Sequence, residues 1–248
     1  MNFEKIPKDS IVNPKDEDLL DRSHRQHPSR IGVGRVGPRP QTKSLLKFRS
    51  DHAEARDAVT TEVSQDVIDE LDIINIQSCS SNKSDFISDP TQGQNISTST
   101  ADLLRKQCKT NPQIQIIISD GLSSTAVEKN VPELLPVLLD GLSNRGLDVG
   151  TPIFVKYGRV NVMDAIGEEL GADCCVNLIG ERPGLATNES LSAYFIYNPK
   201  RGAPTSEKSV ISNIHRNGIP PVEAGAEIAS VLEQICENQN SGFDLDDR

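Results

Sequence analysis

The sequence predicts an α/β fold: a Rossmann-like parallel sheet flanked by helices, preceded by an extended N-terminal arm and a helical segment. Three observations carry this. From residue 99 onward, short aliphatic runs alternate with segments of helical period. The runs "QIQIIISDG", "TPIFVKYGR" and "CCVNLIGERPG" are nearly continuous, the pattern of strands buried on both faces. Upstream, Pro7, Pro14, Pro28, Pro38 and Pro40 punctuate a stretch without periodicity. The expected organisation is an extended basic arm (1–40), a helical or irregular segment (41–98) and a Rossmann-like domain (99–248).

Each element follows in order. "TKSLLKFRSDHAEARDAVTTEV" reads as a helix with Thr42 as its N-cap and Leu45, Leu46, Arg49, Ala53 and Ala55 near one stripe. Ser64 opens a shorter helix, "SQDVIDELD", and "IINIQS" reads as a short strand. "SSNKSDFISDPTQGQNIS" is polar and turn-rich, so a loop is expected. "TADLLRKQCKTNP" is a helix ended by Asn111-Pro112. A strand follows and breaks at Asp120-Gly121. "VPELLPVLLDGLSNRG" is a helix with Leu134, Leu135, Leu138, Leu139 and Leu142 as its stripe. After the strand "TPIFVKYGR", "NVMDAIGEELG" is a helix ending at Gly171. "CCVNLIGERPG" and "SAYFIYNP" are strands. The last helix, "PVEAGAEIASVLEQICEN", has Pro221 in its first turn and Ile228, Val231, Leu232 and Ile235 on one face.

Composition narrows the function. The net charge of −10 argues against general nucleic-acid binding. No run of apolar residues is long enough for a membrane span, and the charged start "MNFEKIPKDS" is unlike a signal peptide, so a cytoplasmic protein is expected. Five cysteines without C-x-x-C spacing suit reduced thiols, not a disulfide framework or a zinc site. Charge is unevenly spread. Arg22, Arg25, Arg30, Arg35, Arg39, Lys43, Lys47 and Arg49 lie in one block, Arg22 to Ser50, that contains no Asp or Glu. Such a block is either a solvated arm or a docking surface for an acidic partner.

Ligands of open α/β sheets bind beyond the carboxyl ends of the strands. Three strands here end in polar, glycine-bearing loops: "ISDGLSS", "KYGRVN" and "IGERPGLATNES". They are the candidate site. Gly32 to Gly37, "GVGRVG", fits G-x-G-x-x-G, but no strand precedes it and "PRP" follows, so a dinucleotide site is not expected. "SNIHRNG" approaches the D-x-H-x-x-G pattern of cobalt-ligating histidines, yet Asn213 stands where the aspartate belongs. His215 therefore reads as a capping or core residue. On the residues alone, a self-sufficient nucleotide-dependent enzyme and a non-catalytic assembly protein both stay open.

Five stretches together resemble one family: "GRVGPRPQTKSLLKFRSDHAEARDAV", "ISDGLSSTAV", "VGTPIFVKYGRVNVMDAIGEELGA", "IGERPGLATNESLSAY" and "SVISNIHRNGIPPVEAGAEI". They resemble the small subunit of ethanolamine ammonia-lyase, over about residues 30–240. The resemblance implies a hetero-oligomer with a large, barrel-type catalytic subunit, as a dodecamer of six large and six small subunits. It implies adenosylcobalamin held base-on at the subunit interface, conversion of ethanolamine to acetaldehyde and ammonia, and a place in the cytoplasm or in a bacterial microcompartment. By the same resemblance, Val160 of "GRV" and Glu181 of "GER" are cofactor-binding positions. The family's third position, a cysteine, is Val210 here, which leaves a backbone or apolar contact. No metal ligand is expected from the chain itself.

Overall fold

A computed structural model describes residues 11, 14–26 and 30–242. Part of the expected arm, residues 1–10, 12–13 and 27–29, lies outside the described residues. The rest is not wholly extended: α1 (Glu17–Gln26) is a helix. Its acidic first turn and basic last turn complement the helix dipole, and the Asp16 carboxylate accepts from the Leu19 N–H at 2.8 Å. These are local signals, easily masked by the prolines around them. β1 (Arg35–Val36) and β2 (Arg39–Pro40) form an antiparallel hairpin about Gly37-Pro38.

α2 (Thr42–Thr60) starts one residue after its flanking Gln41, so Thr42 is the first helical residue and not the cap. Only Asp51 and Ala58 of this helix are buried. α3 (Gln65–Glu70) begins after Ser64, whose side chain makes no cap; instead the Ser64 N–H donates to Glu128. β3 (Ile74–Gln77) follows. The stretch expected as a loop contains α4 (Lys83–Ser88), capped by Asn82, and a short 3-10 turn at Gln92–Gln94. A six-residue helix has no readable period; it is anchored by fully buried Phe86.

α5 (Thr98–Gln107), β4 (Ile114–Ser119), α6 (Ser124–Asn144), β5 (Ile153–Lys156), α7 (Val162–Leu170) and β6 (Cys174–Gly180) continue the α/β alternation. α5 stops at Gln107, four residues short of Asn111. α6 begins seven residues before the expected start at Val131, because Ser123 caps it by accepting from the Ala126 N–H. Gly171, at φ +68°, closes α7. β7 (Leu191–Tyr197), β8 (Ser209–Ile214) and α8 (Pro221–Asn238) complete the chain.

The six-stranded sheet has the order β3-β5-β4-β6-β7-β8. The first four strands in that order are parallel, but β7 is antiparallel to β6 and to β8. The sheet is therefore mixed, not parallel. The cause is visible in the connection 181–190, which is too short for a helical crossover and returns the chain directly. β8 escapes sequence reading because its residues are mostly half-buried or exposed.

Two aliphatic layers enclose the sheet. Ile114, Ile116, Ile118, Val176 and Phe195 pack against Leu134 and Leu138 of α6 and Ile228 and Leu232 of α8. On the other face, Ile117, Val155, Cys175 and Ile196 meet Leu104 of α5 and Met163, Ile166 and Leu170 of α7. Each such fully buried side chain is worth about 1.5–3 kcal/mol of burial. No helix of the described residues is long and apolar enough to cross a membrane.

Candidate functional site

Because β4, β5 and β6 are adjacent and parallel, their three polar loops meet at one sheet edge. The first and third are fused. Leu122 N–H donates to Gly180 O at 2.9 Å, and Gly121, at φ +56°, lies so close that a Cβ there would strike Gly180 O. A Cβ on Gly180 would equally strike Ser123 O. Ser123 O–H donates to Asn188 O at 2.6 Å, and Asn130 Nδ2 donates to Glu189 O at 2.8 Å. The start of α6 thus holds down the loop that carries Glu181.

The three positions assigned by resemblance are tied together by one row of side chains. Asn177, Tyr194 and Val210 are cross-strand neighbours on β6, β7 and β8, and so share a face of the sheet. Asn177 Nδ2 donates to Arg159 O at 3.4 Å and Val160 O at 3.3 Å. Tyr194 O–H donates to Glu181 Oε1 at 3.0 Å. Burial, with Glu181 adding, pushes the Tyr194 hydroxyl up to about 12, so it stays a donor. Val160 packs on the edge of the α5/α7 layer. Val210, at the far end of the row, is 50% exposed. The arrangement offers an apolar patch, a fixed carboxylate and loop backbone to a ligand above the edge.

Sequence reasoning missed the residues that hold this row. Asn177 and Tyr194 lie inside strands read as core. Asp164 of α7 and Lys208, just before β8, form a buried ion pair at 3.0 Å. It links the helix that starts beside Val160 to the strand that carries Val210. Burial raises the Asp164 carboxyl to about 6 even against Lys208. Its signal in the sequence was an acid on the apolar stripe of "VMDAIG", where a charge requires a partner.

A second polar cluster lies at the ends of β3, β4 and β5. Asp120 is 1% exposed, and burial raises its carboxyl to about 6 while Lys83, with Nζ 3.8 Å away, opposes this. The Asp120 carboxylate accepts from the Gly158 N–H at 3.1 Å. Lys83 lies over the rings of Phe86 and Tyr157, and burial lowers its pKa. Glu62 accepts from Lys156 and from Tyr157 O–H, which hold it below its ordinary value.

The remaining motifs are structural. His215 is 7% exposed; its Nε2 meets Asn213 Oδ1 at 2.8 Å and its Nδ1 accepts from the Asn217 N–H. Both ring nitrogens are engaged within its own loop. "GVGRVG" runs into the β1–β2 hairpin, not from a strand into a helix. All five cysteines are free, with Cys174 and Cys236 sulfurs 3.1 Å apart.

Comparison with known proteins fits this architecture to a family. The family described as Ethanolamine ammonia-lyase light chain (EutC) matches residues 17–246. The chain is 48% identical to the ethanolamine ammonia-lyase small subunit of Clostridium tetani over 235 residues, 95% of this chain and 80% of that protein. It is 43% identical to the small subunit from Clostridium perfringens over the same shares. With the match running from α1 through α8 and taking in every loop of the edge, the chain belongs to the ethanolamine ammonia-lyase light chain family.

Proposed function

We propose that this chain is the small subunit of an adenosylcobalamin-dependent ethanolamine ammonia-lyase, a carbon–nitrogen lyase, and that it holds the cofactor against a large catalytic subunit. The observation that carries the reading is the family match along nearly the whole chain, which takes in the edge loops with Val160 and Glu181. The residues present suit the cofactor. Cobalamin is apolar over its ring and fringed with amides. Val210 is exposed on a sheet face beside Tyr194, and Glu181 Oε2 carries no hydrogen bond among the described residues. Asn177 Oδ1 and Ser192 Oγ are buried without partners on the adjoining strands. An amide-rich ligand supplies donors where the edge presents acceptors.

When bound, the cofactor supplies the radical chemistry that converts ethanolamine to acetaldehyde and ammonia. The chain's own part is positional. Glu181 accepts from an amide N–H, Val160 and its loop backbone fix the near rim, and Val210 gives an apolar contact. His215 stays in its loop, in keeping with a base-on cofactor that takes no ligand from this chain. We further infer a Rossmann-like domain from about residue 99, whose sheet is extended by β3 of the preceding helical segment (41–98), with an arm (1–40) before that, a dodecamer of six large and six small subunits, and a cytoplasmic or microcompartment location. The test is reconstitution. The chain mixed with its large subunit and adenosylcobalamin is expected to release ammonia from ethanolamine, and the chain alone is expected to be inactive. A folded, assembled pair without activity overturns the reading.

A further inference from the structure

α2 carries an apolar stripe that its own fold does not use. Its buried residues, Asp51 and Ala58, face inward. Phe48, His52, Ala55 and Val59, spaced at four, seven and eleven residues from Phe48, lie along another side. With Pro183 and Leu185 of the loop after β6 they line an apolar hollow of about 470 Å³. Phe48 is 42% exposed and Leu185 38%. Phe48 is held in place, with the His52 ring stacked at 6.2 Å and the Arg30 guanidinium 5.7 Å from its centroid.

We propose that this groove is a docking site for the large subunit, which fills it with an apolar segment flanked by carboxylates. The proposal rests on the reading above for the existence of that partner. Two observations select the occupant. The groove wall at Pro183–Leu185 begins two residues after Glu181, so a segment seated there is held against the edge where the cofactor is enclosed. The rim is basic. Arg49 and Arg56 flank the stripe on α2, Arg182 stands exposed at the loop, and the stretch from Arg22 to Ser50 contains no acid. The acids of α2 are turned away from it. Asp51 is taken up by Lys47 and Arg30, and helical spacing puts Glu54 and Asp57 on the opposite side. Basic rim around apolar floor selects a partner segment of the complementary kind.

Photo-crosslinking tests this in the assembled complex. p-Benzoylphenylalanine is placed at Phe48, at Leu185 and, as a control, at exposed Lys106 on α5. Crosslinks from positions 48 and 185 to a large-subunit peptide that is apolar and bordered by Asp or Glu are expected, and position 106 is expected to label it at least tenfold less. In parallel, the Phe48→Glu/Leu185→Glu chain is expected to lose affinity for the large subunit at least tenfold with an unchanged circular-dichroism spectrum, because both side chains are exposed. Crosslinks within the chain or between two copies of it, equal labelling at Lys106, or unaltered assembly of the double variant overturns the proposal. A pair that crosslinks as expected but binds no hydroxocobalamin by absorbance supports the groove and overturns the cofactor reading; an active pair without crosslinks does the reverse.

Discussion

Glu181 stands one residue past β6, its carboxylate fixed by the Tyr194 hydroxyl and its backbone N–H given to Ser190 O. Fixing the carboxylate before the ligand arrives removes an ordering cost from binding. Glu181→Ala is therefore expected to weaken cobalamin binding by about 1–3 kcal/mol, the scale of a lost buried acceptor. Titration of hydroxocobalamin by absorbance measures it, with Tyr194→Phe expected to fall between wild type and Glu181→Ala. Gly180 poses a separate constraint, purely steric. Its Cα faces the backbone oxygens of Asp120 and Ser123. Gly180→Ala is expected to cost about 1–3 kcal/mol in urea unfolding, as overpacking does. At this scale the sequence was partly legible. A glycine at the end of an aliphatic run marks a close approach, as Gly180 does, and the acid after it stands at the proposed cofactor edge. Asn177 and Tyr194 were not legible, because a polar residue inside a strand declares its partner only once the neighbouring strand is placed.

Between elements, one ion pair governs how β8 meets α7. Asp164 and Lys208 are both almost fully enclosed, with side chains 2% and 1% exposed. Breaking such a pair from one side strands a buried charge. Lys208→Met is expected to cost about 3–5 kcal/mol at pH 7, measured by denaturant unfolding. The pH dependence has a definite sign. In the folded chain Asp164 titrates near 6, above its unfolded value, so its contribution to stability is fully present below about pH 4 and is lost as pH rises through 6. Removing Lys208 takes away the only named cation opposing burial and moves the carboxyl further up. The gap between wild type and Lys208→Met is accordingly expected to shrink as the pH is lowered from 7 to 5. A constant gap would mean that Asp164 does not ionise against Lys208. The strands on either side of this pair explain which elements could be read in advance. β4, β5 and β6 are apolar on both faces and announce themselves. β8 borders solvent and is held by Lys208, β7 and the turn at His215, none of which leaves a periodic trace.

At the scale of the molecule, the N-terminal region contributes little to the core and much to the surface. α1 buries no residue, and the β1–β2 hairpin is exposed on all four strand residues. One link from this region to α2 is Arg30, which donates to Asp51 and lies over Phe48; another is the Gln41 N–H at the start of α2, which donates to Gly34 O at 2.9 Å. Asp51 is also held by Lys47 at 2.8 Å, so loss of Arg30 leaves it paired. The sequence made the charge of this region plain but not its helix or hairpin, because short exposed elements lack the buried face that creates a pattern. Deleting residues 1–40 is therefore expected to cost about 1 kcal/mol of folding stability, the upper scale of a partly exposed ion pair. The same deletion removes five of the eight cations in the block from Arg22 to Ser50. If that block steers and seats an acidic partner, affinity for the large subunit should fall about tenfold, or 1.4 kcal/mol, with a shallower salt dependence of association. Thermal unfolding of the free chain and size-exclusion co-elution with the large subunit at two ionic strengths separate the effects. A truncated chain that unfolds far below the intact one would place the N-terminal region in the folding core. One that co-elutes normally at both salt concentrations would leave α2 and its groove to carry the interface without it.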